Sequence, residues 1–176
     1  ILECGLYAPT GGNLQKSRFL VMQDSGQIDK LNSILCRELA GREMMDGQYM
    51  NKGIKAARRE GNHFFYHAPT VIIAVAPKIW DNAMADCALG LGYMQLAAAS
   101  LGLGSCWANQ PHWLTDVSEV RKFVTKLGLQ ENEDIYGTIS VGCIRGGNIK
   151  RPERRTQRIC IGKEQNSLCS TFRSLD

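Results

Sequence analysis

Short apolar runs along the chain predict four buried strands. They lie at 18–23 (RFLVMQ), 71–75 (VIIAV), 105–108 (SCWA) and 135–143 (IYGTISVGC), and 159–161 is a candidate for a fifth, shorter strand. Continuous apolar runs of this length, bounded by turn-forming residues, are typical of strands that are buried in a core.

Apolar residues at helical spacing predict two amphipathic helices between these strands. Each helix places its apolar side chains on one face. These positions are Ile28, Leu31, Leu35 and Leu39 in the first helix, and Val117, Val120, Val124 and Leu127 in the second. We expect the turn 24–26 to cap the first helix and Gly41 to end it. Thr115 or Asp116 is expected to cap the second, which stops at Gly128.

Two further segments are predicted to be helical. Residues 1–7 (ILECGLY) read as the end of a helix that Pro9 stops, because proline lacks the amide donor. Residues 42–62 are polar with three embedded methionines, and we expect a mobile helical excursion there. Strands and helices alternate with irregular connections, which favours an α+β or α/β layered domain.

A long apolar segment at 81–102 predicts a central helix. A membrane span is the alternative, but Asp86, Gln95 and the glycines of this region argue against it. A helix that is apolar on every face has to be covered on every face. In a chain of this size a second subunit is a natural cover, so we expect a dimer.

Composition narrows the class of protein. The 176 residues fit a single domain over 1–176, and 44% hydrophobic with 22% charged residues is ordinary for a globular protein. A net charge of +4 gives no strong attraction to nucleic acid or membranes. The seven cysteines are scattered and form no Cys-x-x-Cys pair, so we interpret them as free or buried thiols in a reducing cytoplasm.

Three segments, taken in order, resemble the nitroreductase family. Residues 8–15 (APTGGNLQ) are similar to its signature Ala-Pro-Ser/Thr-x-x-Asn-x-Gln. Residues 65–69 (FYHAP) resemble the Ala-Pro that opens the family's second strand. Residues 86–107 look like its central helix followed by Leu-Gly-Leu-Gly-Ser/Thr-Cys-Trp, and 135–142 is a weaker match. The family's upstream Arg-x-Ser element has no counterpart here, and we expect that a native N-terminal segment is missing from this sequence.

The resemblance implies both a fold and a reaction. The expected fold is the nitroreductase-like three-layer α+β type, a central mixed sheet flanked by helices in an intertwined homodimer. The implied function is an FMN-dependent oxidoreductase that passes electrons from NAD(P)H through flavin N5 to a nitroaromatic, quinone or similar small acceptor by a ping-pong mechanism. A flavin-dependent dehalogenase, a flavin-fragmenting relative and a non-catalytic FMN-binding module are the alternatives.

The same resemblance assigns residues to the cofactor. In the family, the first signature loop reaches the flavin of the other subunit, backbone amides after the third strand point at flavin N5, and basic residues after the last core strand hold the phosphate. The corresponding residues of this sequence are Pro9, Thr10, Gly11, Asn13, Gln15, Trp107, Ala108, Asn109, Gln110, Arg154 and Arg155. The residues by themselves also fit an ordinary turn, a strand end and a solvated basic loop. Interleaved aromatics that nucleic-acid binding would need are missing from the basic segment.

No dedicated catalytic side chain and no metal site are predicted. His63 and His67 stand four residues apart, a spacing that suits a metal on a helix, but Pro69 follows closely and no acidic partner is visible in the sequence. Cys106 is interpreted as a packing residue, because no basic partner neighbours it. We expect residues 42–67 to cover the acceptor pocket.

Overall fold

A computed structural model describes residues 1–144, and its four strands form one sheet. The strands are β1 (Arg18–Met22), β2 (Thr70–Pro77), β3 (Leu103–Trp107) and β4 (Glu133–Cys143). All four strands predicted between 18 and 143 are therefore confirmed within a few residues. The candidate strand at 159–161 lies outside the described residues.

The sheet has the strand order β1-β2-β4-β3, and every neighbouring pair within 1–144 is antiparallel. The expected mixed sheet is thus corrected for this part of the chain. The connections give the reason. Two helices connect β1 to β2, and two connect β3 to β4. Each of these connections brings the chain back in the opposite direction, so the two strands that it joins are antiparallel. A single helix joins β2 to β3, which run parallel to each other but are separated by β4.

Six helices and a short 3-10 turn surround the sheet in the described residues. They are α1 (Leu2–Leu6), the turn Gly11–Asn13, α2 (Ser25–Ala40), α3 (Met50–Ala57), α4 (Ala83–Ser100), α5 (Gln110–Trp113) and α6 (Ser118–Thr125). The predicted cap of α2 is confirmed, since the Asp24 side chain accepts a hydrogen bond from the Gln27 amide at 2.8 Å. The predicted cap of α6 is wrong, because its N-cap is Val117 and the Thr115 hydroxyl instead accepts a 3.3 Å bond from the Ile135 amide.

Apolar side chains pack on both faces of the sheet, which gives three layers. Along β2, Val71, Ile73 and Val75 face a core built with α2, α3 and α6. The alternate residues of β2 face a second core built mainly with α4, and they are Ile72, Ala74 and Ala76. Because both faces of β2 are covered, the strand reads as a continuous apolar run in the sequence.

Helix α4 lies directly on the sheet and is the predicted central helix. A Cβ at Gly90 would lie 2.6 Å from Cζ of Phe19 and 3.4 Å from the Gly5 carbonyl, so only glycine allows α1, α4 and β1 to approach this closely. No helix within the described residues is long and apolar enough to cross a membrane.

Candidate functional site

The end of β3 carries the first group of predicted cofactor residues. The Ala108 amide donates to the Thr138 carbonyl at 2.9 Å and extends the pairing with β4. The indole of Trp107 donates to Oδ1 of Asn109 at 2.6 Å, so the Asn109 side chain is already engaged. Gln110 then begins α5, a four-residue helix with Pro111 in its first turn. This segment was expected to be a strand end and a loop, although proline early in a helix is a recognised start signal.

A cavity of about 180 Å³ opens beside this strand end. We call it the β3-exit cavity. Residues from β3 and α5 line one side, and residues 49–66 line the other. Its aromatic and imidazole walls consist of Tyr49, His63, Phe64, Tyr66, Trp107 and Trp113. The structure thereby brings Trp107, Asn109 and Gln110 together with the segment that was expected to cover the acceptor pocket.

One polar side-chain atom of a cavity-lining residue has no protein partner. Oε1 of Gln110 is buried and makes no hydrogen bond within the described residues. A buried acceptor without a donor is unfavourable by about 1–3 kcal/mol, so such an atom commonly marks a place where a ligand or water binds. Gln110 is among the predicted cofactor residues.

Helix α3 closes the cavity through close aromatic packing. A Cβ at Gly53 would lie 2.8 Å from Cζ3 of Trp113, so glycine at this position lets α3 pack directly against the edge of the indole. Tyr49 meets the same indole edge-on, with ring centres 5.8 Å apart. Lys52 lies 5.4 Å from the Tyr49 ring centre and is a cationic group in the cavity wall.

The loop 9–15, the second group of predicted residues, has an unusual backbone. Asn13 and Gln15 adopt positive φ angles of 54° and 48°, which are uncommon for residues with side chains. Internal hydrogen bonds hold this shape, because the Thr10 hydroxyl accepts from the Gln15 amide at 3.1 Å and Oδ1 of Asn13 accepts from the Gln15 side chain at 3.1 Å. Strained backbone of this kind is often found where a loop serves a ligand.

Asp86 connects this loop to α4 and was not predicted as a site residue. Its carboxylate accepts the Gly11 amide at 2.9 Å, although the two residues are 75 positions apart. Burial raises the pKa of Asp86, but hydrogen bonds from Trp80, Gly11 and Asn82 together outweigh burial and hold that pKa below its usual value. The sequence feature that could have identified Asp86 is its position as a single acidic residue in an otherwise apolar helix.

The two groups of predicted residues lie apart within one chain. Loop 9–15 precedes β1 and the β3-exit cavity follows β3, and these strands are the two edges of the sheet that residues 1–144 form. Three strand spacings separate the edges, which is about 14 Å. Loop residues are not part of the cavity lining. Arg154 and Arg155, the third predicted group, lie outside the described residues.

The histidine pair has an acidic neighbour that the sequence did not reveal. Asp29 of α2 lies 3.1 Å from Nε2 of His63, and His67 completes a group whose candidate ligand atoms fall within 4.8 Å of one another. The His67 amide donates to Nδ1 of His63 at 3.2 Å, so the ring proton of neutral His63 sits on Nε2 and points to Asp29. A metal on Nε2 would displace that proton and move it to Nδ1, where the His67 amide opposes it. The hydrogen bonds therefore describe a link between α2 and residues 63–67, not a ready set of ligands.

Comparison with known proteins gives the family. The sequence profile described as the nitroreductase family matches residues 1–143. A search of curated proteins finds no significant match. A nitroreductase with bound FMN from Bacteroides fragilis is 31% identical, with a TM-score of 0.81, and the alignment covers 92% of this chain and 84% of that one.

More distant structures share the fold. A nitroreductase with bound FMN from Desulfitobacterium hafniense is 22% identical, with a TM-score of 0.75 and coverage of 92% and 84%. An iodotyrosine deiodinase bound to FMN and 3-iodo-L-tyrosine is 21% identical, with a TM-score of 0.65 and coverage of 95% and 85%. The three-layer α+β architecture is common to all of them. On the strength of the profile match and the 31% identity, this chain belongs to the nitroreductase family.

Proposed function

We propose that the protein is an FMN-dependent oxidoreductase that takes electrons from NAD(P)H and passes them to a small aromatic acceptor. The observation that carries this proposal is the β3-exit cavity. It combines an aromatic wall with the unpartnered Oε1 of Gln110, at the strand end that the family resemblance assigns to the flavin. The FMN in the related Bacteroides fragilis nitroreductase supports the choice of cofactor.

The residues present fit a flavin. Asn13 carries both a donor and an acceptor, which suits the edge of the ring system, and it lies on an exposed, strained loop. The segment 107–110 would hold the other edge, with the amides of Asn109 and Gln110 toward N5. Arg154 and Arg155 would hold the phosphate, for which guanidinium groups are well suited.

The chemistry divides between cofactor and protein. FMN, when bound, supplies hydride acceptance from the reduced nicotinamide and electron delivery to the acceptor. The protein contributes placement and the exclusion of water. Trp107 and Trp113 present flat apolar surfaces to a planar molecule, and Tyr49 and Tyr66 cover the cavity from the opposite side. This division of the chemistry requires no acid or base from the protein.

The acceptor is proposed to be a small planar aromatic such as a nitroaromatic or a quinone. Aromatic walls favour planar aromatic ligands through stacking and edge contacts. Lys52 adds one positive charge to the cavity wall and would favour acceptors that carry a negatively charged or electron-rich substituent. The two electron-transfer steps share this one cavity, which is the reason to propose a ping-pong sequence.

We further propose that the active unit is a homodimer. The outer face of α4 exposes large apolar side chains, and Leu96 alone is 72% exposed. Leu89 and Tyr93 lie within about 60° of Leu96 around the helix and are exposed as well. Large apolar side chains exposed together on one helix face are typical of a subunit interface. The separation of loop 9–15 from the β3-exit cavity supports a flavin site that is completed by the loop of the partner subunit.

A reducing compartment such as the cytoplasm is proposed for this protein. The cysteines of the described residues, among them the exposed Cys4 and Cys143, are all free. Free exposed thiols persist in reducing surroundings.

Steady-state kinetics test the proposed reaction. The purified protein is loaded with FMN and assayed with NADH and with NADPH against nitrobenzene derivatives and benzoquinones. The proposal predicts nicotinamide oxidation that depends on both FMN and the acceptor, with parallel double-reciprocal lines as the acceptor concentration changes. Tight FMN binding without turnover on any acceptor would instead support a non-catalytic flavin module.

A further inference from the structure

Asp86 is a buried carboxylate whose hydrogen-bond donors in the described residues are all neutral. It lies in the first turn of α4 and is 1% exposed. Its Oδ1 accepts the Gly11 amide at 2.9 Å and the Asn82 side-chain amide at 2.6 Å, and its Oδ2 accepts the Trp80 indole at 2.8 Å. Among residues 1–144 no cation forms a salt bridge with it.

A buried ion without a counter-ion needs compensation. The three N–H donors provide it, and the positive end of the helix dipole adds to it because Asp86 lies in the first turn. The hydrogen bonds keep the pKa of Asp86 below its usual value despite burial, so the group stays ionised at neutral pH. A core position of this kind would be simpler to fill with an apolar side chain. Of the three hydrogen bonds that the carboxylate accepts, the one from the Gly11 amide is the one that reaches a distant part of the chain.

Gly11 lies tightly against the same cluster. A Cβ at Gly11 would lie 2.8 Å from Nδ2 of Asn82 and 3.1 Å from Cζ2 of Trp80. The backbone of the loop therefore packs directly against the start of α4, where the Asp86 carboxylate accepts the hydrogen bond from the Gly11 amide. The absence of a side chain on Gly11 makes this close contact possible.

The position of the rest of loop 9–15 on the protein depends on that contact. Asn13 and Gln15 have positive φ angles, and their hydrogen bonds to Thr10 and to each other are internal to the loop. Internal bonds fix the shape of the loop but not its place on the protein. The Gly11–Asp86 bond ties that shape to α4, 75 residues away in the sequence. Strained backbone persists only where the surrounding structure holds it.

We propose that Asp86 is a positioning residue for FMN. Its ionised carboxylate fixes the position of loop 9–15 through the hydrogen bond from the Gly11 amide, and thereby holds Asn13 and Gln15 in the arrangement that binds the flavin. Asp86 itself does not touch the cofactor. This inference rests on the proposed function, because it assigns a purpose to the loop only if the loop binds FMN.

Asp86→Asn tests the proposal most directly. Asparagine keeps the shape but has one acceptor oxygen, and its NH2 group opposes at least one of the three donors. Losing hydrogen bonds to a charged acceptor is expected to raise the Kd for FMN about 10- to 100-fold. Fluorescence quenching on titration of the apoprotein measures this Kd. Visible circular dichroism at saturating FMN should also change, because the ring would sit differently.

Asp24→Ala is the matched control for lost stability. Asp24 caps α2, far from the loop in the sequence, so its loss should lower the melting temperature but leave the Kd for FMN within about twofold. A Trp80→Phe, Asn82→Ala double variant removes two donors and keeps both Asp86 and Gly11. It is expected to raise the Kd about 3- to 10-fold, and it carries the test if Asp86→Asn does not fold.

The outcomes separate the two proposals. If the wild-type protein does not bind FMN, the proposed function fails. If the wild type binds FMN but Asp86→Asn matches its Kd and dichroism, or the double variant does so where Asp86→Asn cannot fold, the positioning role is overturned. An equal loss of affinity in Asp24→Ala would also overturn it, because general destabilisation would then explain the effect.

Discussion

Gly53 of α3 lies against the ring of Trp113 so closely that a Cβ on the glycine would be 2.8 Å from Cζ3 of the indole. This contact sets the distance between the helix that covers the β3-exit cavity and the wall that contains Trp107 and Gln110. The absence of a side chain at Gly53 therefore sets the width of the cavity.

Gly53→Ala is predicted to weaken acceptor binding. The added methyl group must push α3 or Trp113 aside, and inserting a methylene group into a packed contact typically costs about 1–3 kcal/mol. We expect the KM for a nitroaromatic acceptor to rise about 5- to 150-fold, the factor to which that energy corresponds, with little change in FMN affinity. Steady-state kinetics with the FMN-loaded enzyme measure both effects.

Gly41→Ala is the control for this variant. Gly41 ends α2 with an ordinary φ of −78°, and its added Cβ would meet only the Arg37 carbonyl at 3.8 Å. Its kinetics should match those of the wild type. An unchanged KM in Gly53→Ala would mean that the acceptor does not occupy this cavity.

Leu96→Glu is predicted to disrupt the proposed homodimer. Leu96 is 72% exposed on the apolar outer face of α4, and a carboxylate in a buried interface is strongly unfavourable. Sedimentation velocity should show the mass of a single chain, with FMN affinity lost at the same time because the site is shared. Lys30→Gln on the exposed surface of α2 changes the net charge by the same amount and should remain dimeric. A monomeric wild type, or a dimeric Leu96→Glu, would contradict the proposed interface.

The Arg18–Glu133 pair is predicted to make the fold sensitive to acid. Two hydrogen bonds of 2.8 and 2.5 Å join these side chains, and Glu133 is almost fully buried. The hydrogen bond from Arg18 holds the pKa of Glu133 below its ordinary value of 4.5, although burial opposes this. The pair therefore stabilises the folded state above that ordinary value, and the stabilisation is lost as the pH falls toward and through the lowered pKa.

Urea unfolding between pH 3 and pH 7 measures this effect. Glu133→Gln is expected to lose about 1–3 kcal/mol at pH 7 and to show a flatter dependence on pH below the ordinary value of 4.5. Glu38→Gln removes an exposed pair with Arg37 and should cost about 0–1 kcal/mol. Equal losses in the two variants would show that the buried pair has no special role.

Cys87 is predicted to be inert to thiol reagents in the folded protein. Burial raises the pKa of its thiol to about 11, so almost no thiolate exists at pH 8. Iodoacetamide labelling followed by peptide mass spectrometry should modify Cys87 in urea but not in buffer. Equal labelling rates in the two conditions would contradict the packing of α4 on the sheet.

The sequence predicted the framework of the fold because local patterns determine it. The apolar run of β2 reflects burial on both faces, and the stripe from Ile28 to Leu39 reflects a single buried face of α2. The antiparallel pairing of neighbouring strands was missed, since it depends on how many helices each connection contains and where the chain returns.

The candidate site was predictable only in part, because its key contacts join distant residues. The resemblance identified loop 9–15 and the segment 107–110. It could not reveal that Asp86 holds Gly11, or that Asp29 approaches His63, since both contacts arise only after α2 and α4 have packed. Helix α5 was missed because four residues offer too little periodicity to recognise.

Sedimentation velocity of the apoprotein titrated with FMN, followed by visible absorbance, is the most direct single test. A shared flavin site in a homodimer predicts that flavin absorbance sediments with a species of twice the 19.5 kDa chain mass, at one FMN per chain. Flavin absorbance that stays with the free solute at every protein concentration would contradict the proposed cofactor and the shared site together.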